Sequence, residues 1–368
     1  MSNLLKNLYS PLFYQRLTLA LEKSLPSFNK DEFLNGIYSD SFESMELKQR
    51  MRHTSTILHN FMPMEFSKGL EVIKETIAHL REKGIGEDGL AYMFIADYIE
   101  IYGIEDFETS VSALEFVTQF VSCEFAVRPF ILRYGEQMIS TMKKWSLHQN
   151  HKVRRLASEG SRPRLPWAMG IPFLKKDPSA ILPILENLKN DSSDYVRRSV
   201  ANSLNDIAKD HPGVVLKTAV DWSGISANTD AIIKHGSRTL LKQGHPEILK
   251  HYGLSDKGIS ITDFEVLTPQ LSIGESLVFS FTIENQNIAD QKVRLEYAVY
   301  YKKQNGQNTK KVFKISERIY PGQAKISVLR KQKFVPITTR RFYLGEHQLS
   351  LIINGIEKEI LDFELISD

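Results

Sequence analysis

Hydrophobic positions in the first two thirds of the chain recur with the period of an α-helix. Between Ser44 and Phe61 they return at spacings of three, four and seven: Leu47, Met51, Ile57, Leu58 and Phe61. The same pattern predicts further amphipathic helices over residues 4–24, 65–82, 88–102, 106–122 and 129–145. Glycine and proline lie between these stretches, as in Lys83-Gly84-Ile85-Gly86, rather than inside them.

An internal repeat begins near residue 150. Three prolines, each at the predicted start of a helix, follow one another at intervals of 34 residues: Pro178, Pro212 and Pro246. Three segments align as the second helix of a pair: residues 150–162, 192–204 and 228–240. Paired helices repeating at about 35–45 residues predict a HEAT-like solenoid. A TPR array would also suit the period of 34, but the aromatic and alanine signature of that repeat is not present.

After residue 257 the hydrophobic period changes from 3.6 to 2, as in a half-buried strand. Two runs alternate in this way: Leu277, Phe279, Phe281 and Ile283, then Val293, Leu295, Tyr297, Val299 and Tyr301. Asn305-Gly306 and Asn354-Gly355 are typical hairpin turns. About seven strands of this kind predict an immunoglobulin-like sandwich. The fold class is therefore multidomain α + β, with a HEAT-like-repeat domain over residues 1–257 and an immunoglobulin-like β-sandwich over 258–368.

Composition narrows the class of protein. A chain of 368 residues fits two domains, and contents of 42% hydrophobic and 25% charged residues are near the globular average, which excludes extensive disorder. Its apolar runs are too short to span a bilayer, and the N-terminal segment lacks the pattern of a signal peptide. The single cysteine, Cys123, fits a reducing compartment. We expect a cytoplasmic protein with no membrane partner.

The net charge of +3 conceals a strong segregation of charge. The segment from Lys292 to Arg341 carries a net charge of +12, whereas its flanks are acidic. A second cluster, from Lys143 to Arg164, contains seven basic residues and one acid, Glu159. Each cluster alone suits a solvated surface. Together they favour a partner with a phosphate backbone, because such a partner binds through clustered cations.

The repeat also places some cations on one wall. Stacking of successive repeats lines up their second helices, so five basic residues are expected to form a track along the concave side: Arg154, Arg155, Arg197, Arg198 and Lys234.

The candidate chemistry consists of isolated acids. The sequence has no glycine-rich phosphate loop, nucleophile elbow or cluster of metal ligands, so we expect no cofactor and no metal. Glu124 stands before a proline-containing helix, where a charge on the helix dipole is the simple alternative. Glu159 lies among cations, where a salt bridge to Arg155 or Arg162 is the alternative to a catalytic role. Asp206 is a weaker candidate, since it suits a polar helix face.

Two long and unusual segments carry a resemblance. Residues 124–130 (Glu-Phe-Ala-Val-Arg-Pro-Phe) and 157–167 (Ala-Ser-Glu-Gly-Ser-Arg-Pro-Arg-Leu-Pro-Trp) resemble the hallmark segments of the AlkC branch of HEAT-like-repeat alkylpurine DNA glycosylases. The resemblance extends through residues 202–212 and the C-terminal β-domain. One departure is Ser161, where many relatives carry cysteine.

The resemblance implies hydrolysis of the N-glycosidic bond of a cationic N-alkylated base, chiefly 3-methyladenine and also 3-methylcytosine, in duplex DNA in the bacterial cytoplasm or nucleoid. It also implies that the base is not extruded into a pocket. Its implied catalytic residues are Glu124, Glu159, Trp167 and Asp206. Its implied DNA contacts are Arg128, Lys152, Arg154, Arg155, Arg162, Arg164, Arg197, Arg198 and Lys234, with the Lys292–Arg341 segment as a further DNA-binding region. We expect a monomer that leaves the strand at the abasic site intact.

Two other functions fit the residues alone. The chain could be a non-catalytic nucleic-acid-binding scaffold in which Glu124 and Glu159 only form salt bridges. It could also be an adaptor for acidic proteins, in which case its affinity for duplex DNA would not depend steeply on salt.

Overall fold

The computed structural model describes residues 4–85, 89–336 and 341–367. The chain divides into two compact units, Met1–Gly236 and Ser237–Asp368. The change from helix to strand comes later, between His251 and Ile259, so two short helices group with the strands. No helix within the described residues has the length and apolar character needed to cross a membrane.

The first unit is helical, as its hydrophobic period predicts. Within the described residues its helices are α1 Pro11–Ser24, α2 Lys30–Ile37, α3 Leu47–His59, α4 Phe66–Glu82, α5 Phe94–Tyr102, α6 Phe107–Val117, α7 Val127–Tyr134, α8 Glu136–Trp145, α9 His151–Gly160, α10 Pro172–Lys176, α11 Leu182–Leu188, α12 Asp194–Ile207, α13 Pro212–Trp222 and α14 Ala227–Gly236. Short 3₁₀ turns cover Leu5–Leu8, Phe42–Ser44, Leu90–Met93 and Ser179–Ile181.

The structure corrects two helix predictions. The stretch predicted as one helix over 129–145 is two helices, because Gly135 has a positive φ of 48° that breaks the chain between α7 and α8. The hydrophobic pattern does not predict helix α2, because this helix is short and buries only Phe33 and Ile37. Its start depends instead on Asn29, whose side chain accepts a hydrogen bond from the main-chain N–H of Glu32.

The repeat region consists of helix pairs α8–α9, α11–α12 and α13–α14. The second helices α9, α12 and α14 pack side by side in that order, which confirms their predicted alignment. The prediction for Pro178 is wrong, since α11 begins at Leu182. At Pro178 the side chain of Asp177 instead accepts a hydrogen bond from the N–H of Ser179 at 2.9 Å. This local turn stands where the first turn of the helix was predicted.

The second unit contains helices α15 Arg238–Lys242 and α16 Pro246–His251 and then an immunoglobulin-like sandwich. Its described strands are β1 Ile259–Val266, β2 Gln270–Ser272, β3 Ser276–Asn285, β4 Gln291–Lys302, β5 Asn308–Tyr320, β6 Lys325–Lys333, β7 Gly345–Ile353 and β8 Ile356–Ile366. Three strands form one sheet in the order β1-β3-β6, and five form the other in the order β2-β8-β7-β4-β5. The two apolar runs predicted from the period of 2 lie on β3 and β4 and are buried between the sheets.

Strands β5 and β6 are both edge strands, one in each sheet. Most exposed cations of the Lys292–Arg341 segment lie on them or beside them: Lys303, Lys310, Lys311, Lys314, Arg318, Lys325, Arg330, Lys331 and Lys333. Residues 337–340 of that segment lie outside the described residues. Arg294 differs from the others because it is buried and pairs with Glu296 at 2.6 Å and with Glu317 at 2.9 Å. The positive charge of this segment is thus concentrated along sheet edges.

Gly160, the last residue of α9, allows this helix to approach α7 and α8 closely. A Cβ atom there would lie 2.5 Å from Cγ1 of Val127 and 2.9 Å from Cε of Met142. Gly213, in the first turn of α13, is in contrast surrounded by open space.

We therefore predict opposite effects for two glycine substitutions. Gly160→Ala lowers the free energy of unfolding by about 1–3 kcal/mol through overpacking. Gly213→Ala leaves it unchanged or raises it by up to about 1 kcal/mol, since alanine favours the helix. Thermal unfolding followed by circular dichroism at 222 nm measures both, and equal melting temperatures for the two variants would contradict the packing argument.

Candidate active site

Three acids predicted from the sequence come together in the helical unit. Glu124 lies in the turn before α7, Glu159 is the penultimate residue of α9, and Asp206 lies near the end of α12. Glu159 and Asp206 are only 5% and 2% exposed. Carboxylates are rarely buried to this degree unless they are paired.

Two arginines lie between these acids and form an alternating series of charges. Nη1 of Arg155 donates to Oε2 of Glu124, and its Nη2 lies 3.6 Å from Oε1 of Glu159. Nη1 of Arg162 donates to the same Glu159 oxygen at 2.7 Å, and its Nε donates to Oδ2 of Asp206 at 2.8 Å. Lys209 ends the series by donating to Oδ1 of Asp206 at 3.1 Å. We call this the charge ladder: Glu124, Arg155, Glu159, Arg162, Asp206 and Lys209.

The three acids are not equivalent within the charge ladder. Both oxygens of Asp206 accept hydrogen bonds. Glu124 and Glu159 each use a single oxygen, so Oε1 of Glu124 and Oε2 of Glu159 accept no hydrogen bond from the described residues. These two glutamates, and not Asp206, also line a cleft of about 280 Å³. The cleft is thus bordered by two anchored carboxylates, each with one uncommitted oxygen.

Trp167 forms another part of this cleft. Its indole is 66% exposed, which is unusual for so large an apolar side chain. Its backbone has a positive φ of 64°, a conformation that non-glycine residues seldom adopt. The remaining lining is largely apolar: Tyr9, Leu47, Lys48, Met51, Leu90, Met93, Phe125, Arg162, Leu165 and Pro166.

Arg128 has no exposed surface, which corrects its predicted place among the DNA contacts. Its Nε donates to the carbonyl oxygen of Met169 at 2.7 Å, and its Nη1 donates to those of Gly160 and Arg162, both at 2.8 Å. Burial, and then the nearby charge of Arg162, lower the pKa of Arg128 to about 10. A guanidinium enclosed by carbonyls holds backbone and presents nothing to a phosphate.

The other predicted DNA contacts fall into two groups. Lys152, Arg154 and Arg197 are largely buried or bound to the protein, Arg154 through two bonds to Asp191 of 2.6 and 3.0 Å. Arg164 and Arg198 are exposed, although each pairs with an aspartate, Asp210 or Asp194. Lys234, on α14, is partly buried. The basic track is therefore a row of ion pairs with few exposed cations.

Lys48 is the site residue that sequence reasoning missed. It lies on α3, yet its Nζ donates to the carbonyl oxygen of Trp167 and lies 4.3 Å from the centroid of the Phe125 ring. Burial lowers the pKa of its ammonium group. Because 119 residues separate Lys48 from Trp167 along the chain, no local pattern indicates this contact.

Within the described residues, no group of three or more histidine, cysteine, aspartate or glutamate side chains has the arrangement of a metal site. Cys123 is fully buried, and burial raises the pKa of its thiol. Its Sγ donates to the carbonyl oxygen of Val121 at 3.6 Å, so it packs as a small apolar residue.

Two family profiles match this chain, one in each unit. The profile described as "DNA alkylation repair enzyme" matches residues 95–221, which contain the charge ladder. The profile of the C-terminal Ig-like domain of the uncharacterised protein YhaZ matches residues 260–367. The central part of the helical unit is thus similar to a DNA alkylation repair enzyme.

Two relatives match almost the whole chain. The uncharacterized protein YhaZ of Bacillus subtilis is 44% identical over 362 residues, which covers 98% of this chain and 99% of that protein. The alkylpurine DNA glycosylase AlkC of Pseudomonas fluorescens, solved bound to DNA containing an abasic site analog, is 34% identical with a TM-score of 0.92, covering 99% and 100% of the two chains. This chain belongs to the AlkC-type family of alkylpurine DNA glycosylases.

The charge ladder predicts a large difference between two neighbouring arginines. Arg162→Met leaves Glu159 and Asp206 buried without the cation between them, so we expect the free energy of unfolding to fall by about 3–5 kcal/mol. Arg164→Met removes an ion pair whose arginine is 37% exposed and should cost less than about 1 kcal/mol. Urea unfolding of both variants tests this, and a loss of similar size in the two would count against the ladder.

Proposed function

We propose that this chain is a DNA glycosylase that hydrolyses the N-glycosidic bond of cationic N-alkylated bases in duplex DNA, 3-methyladenine first and 3-methylcytosine as well. The observation that carries the proposal is the pair Glu124 and Glu159, each with one oxygen tied to arginine and the other uncommitted beside the cleft. Membership of the AlkC-type family supports it, since the Pseudomonas relative is an alkylpurine DNA glycosylase bound to DNA.

The reaction needs an ionised carboxylate near the sugar, and it does not need a general acid that protonates the leaving base. An alkylated base that already carries a positive charge leaves without protonation, and the sugar develops the character of an oxocarbenium ion. A preorganised carboxylate near C1′ stabilises that cation and accepts a proton from the attacking water. Glu159 suits this role because its bonds to Arg155 and Arg162 fix its position while Oε2 remains uncommitted. Glu124 lines the same cleft and suits the orientation of the water.

Asp206 has a different task in this proposal. Each of its oxygens accepts one hydrogen bond, from Arg162 or from Lys209, and Asp206 does not line the cleft, so we assign it no contact with water or sugar. It keeps the Arg162 guanidinium in place beside Glu159. Asp206 is therefore a positioning residue, whereas Glu124 and Glu159 are the catalytic residues.

Trp167 supplies the aromatic surface of the cleft. Its exposed indole can contact the deoxyribose and the face of the cationic base, and a cation–π contact of this kind contributes about 0.5–2 kcal/mol. This contact needs no extrusion of the base into an enclosed pocket, which most enzymes that act on bases use.

The duplex is held through its phosphates. Among the predicted contacts of the helical unit, Arg164 and Arg198 have guanidinium groups that reach solvent, while in the sandwich the exposed cations follow the edge strands β5 and β6. Such contacts set the position of the protein on the duplex and are independent of base sequence. We propose that the sandwich contributes binding energy and the helical unit contributes the chemistry, with the division near residues 257 and 258.

A non-catalytic DNA-binding scaffold is the second candidate. It is favoured by the salt bridges themselves, since Glu159 pairs with both Arg155 and Arg162, as a purely structural residue would. The two candidates differ in the fate of the lesion after binding.

The first functional prediction concerns Glu159→Gln. The amide keeps the size and one hydrogen-bond acceptor but loses the negative charge, so we expect the single-turnover rate of 3-methyladenine release to fall at least about 100-fold. Affinity for the same duplex should stay equal or increase. Duplexes with one defined lesion, analysed by chromatography of the released base, give the rate, and a no-enzyme sample corrects for spontaneous loss.

Glu71→Gln is the matched control for this prediction, because Glu71 is an exposed α4 residue that pairs with Lys74 outside the cleft. It should release base at the unmodified rate. Base release by the Glu159→Gln variant at that same rate would exclude Glu159 as the catalytic carboxylate, and absence of release by the unmodified protein would favour the scaffold.

The second functional prediction concerns the edge of the sandwich. Lys331 and Lys333 are exposed on β6. If each contacts one phosphate, Lys331→Gln/Lys333→Gln should reduce the slope of log affinity against log salt by about 1.8 and weaken binding to every duplex sequence alike. Fluorescence anisotropy across a salt series measures the slope. Lys217→Gln, an exposed lysine on α13 paired with Asp221, serves as the control; an unchanged slope in the double variant would remove β6 from the DNA surface.

A further inference from the structure

The segment that carries Trp167 has little structure of its own. Residues 161–171 connect α9 to α10. The main-chain hydrogen bonds between two residues of this segment run from the N–H of Ala168 to Leu165 and from the N–H of Ile171 to Pro163, and both are 3.3 Å long. Yet this segment must present Arg162 and Trp167 to the cleft in a fixed arrangement. Something outside the segment therefore determines its position.

Arg128 holds both ends of this segment. From α7 its guanidinium donates to the carbonyl oxygens of Gly160 and Arg162 at the start and to that of Met169 at the end. Main-chain carbonyls of an irregular segment need hydrogen-bond partners when they are buried, and a charged donor makes stronger bonds than a neutral one. Nη2 of Arg128 is buried and has no hydrogen-bond partner among the described residues, so the bonds to these carbonyls are made at the cost of desolvating one N–H group.

Lys48 holds the middle of the segment from another helix. Its Nζ donates to the carbonyl oxygen of Trp167, and the same ammonium group lies over the ring of Phe125, the residue after Glu124. One side chain on α3 thus contacts the backbone that orients the indole and the neighbour of a catalytic acid. Trp167 has a positive φ, a conformation that persists in a non-glycine residue only when surrounding contacts maintain it.

We propose that Lys48 and Arg128 are positioning residues of the active site, which together set the orientation of Trp167 relative to Glu124 and Glu159. This inference rests on the proposed glycosylase function. Arg128 fixes the ends of the segment and Lys48 fixes the peptide group of Trp167. Their effect on the reaction passes through the indole, because neither side chain needs to touch the reacting atoms.

A lysine beside an abasic site raises the question of strand cleavage. A nucleophilic amine would attack C1′ of the abasic aldehyde and form an iminium ion with loss of water, which borohydride reduces to a stable covalent product. In this structure the Lys48 ammonium group is engaged with a carbonyl oxygen and an aromatic ring. A positioning role therefore predicts no covalent product with borohydride, and a product that disappears in Lys48→Met would overturn it.

The test uses the full chain labelled with 5-fluorotryptophan. Its three tryptophans give three ¹⁹F signals, and Trp167→Phe assigns that of Trp167, which is exposed, unlike the buried Trp145 and Trp222. In Lys48→Met we expect the Trp167 signal alone to shift and narrow, while the rate of 3-methyladenine release falls about 5- to 20-fold. Lys48→Arg, which keeps a cationic donor, should restore most of both.

Arg128→Lys is the second variant, since the lysine can reach fewer of the three carbonyl oxygens. It should also shift the Trp167 signal and lower the rate. Lys74→Met, on the exposed face of α4, is the matched control and should change neither. A reduced rate with an unchanged Trp167 signal overturns the proposal, and so does a changed signal with an unchanged rate. If the unmodified protein releases no base, the proposed function fails, whereas the ¹⁹F spectra still report whether Lys48 positions Trp167.

Discussion

The structure of this site depends on the way two arginines divide three carboxylates between them. Moving one carboxylate out of water without a partner costs several kcal/mol, and placing three close together adds mutual repulsion. Arg155 and Arg162 each bridge two acids, so every carboxylate of the ladder has a neighbouring cation and each of the two arginines has two neighbouring carboxylates. The close packing of α9 at Gly160 and the pairing of α9 with α12 bring these side chains within bonding distance.

This arrangement changes the interpretation of the positive charge in the basic cluster from Lys143 to Arg164. Counted along the chain, Lys143 to Arg164 contains seven cations and one acid. In the folded unit, acids from distant segments of the chain form ion pairs with this cluster: Asp206 pairs with Arg162, Asp191 with Arg154 and Asp210 with Arg164. Four of the seven cations, Arg154, Arg155, Arg162 and Arg164, are therefore compensated by acids of the protein. Lys331 and Lys333 on β6, by contrast, form no ion pair with the described residues, so this sandwich edge carries uncompensated charge of the kind that attracts a polyanion.

Sequence patterns predict the helices, strands and ion pairs that depend on residues close together along the chain. The period of 3.6 predicts the helices, the period of 2 predicts β3 and β4, and the pair Glu159–Arg162 follows from a spacing of three residues at the end of α9. Contacts across long stretches of chain had no such signal. The bonds from Arg162 to Asp206, from Arg128 to Met169 and from Lys48 to Trp167 span 44, 41 and 119 residues. For that reason the sequence indicates neither that Arg128 is enclosed by carbonyl oxygens nor that Lys48 reaches Trp167.

The uneven use of the glutamate oxygens explains how one residue can be both anchored and reactive. A carboxylate held through both oxygens and outside the lining of the cleft, such as Asp206, has a fixed position but does not border a substrate there. A carboxylate with none would move and, in a buried site, would lack compensation for its charge. Glu159 lies between these limits, since one oxygen fixes its position and the other is uncommitted beside the cleft. The salt bridge and the catalytic role are therefore not competing explanations for this residue, because the first provides the fixed geometry that the second requires.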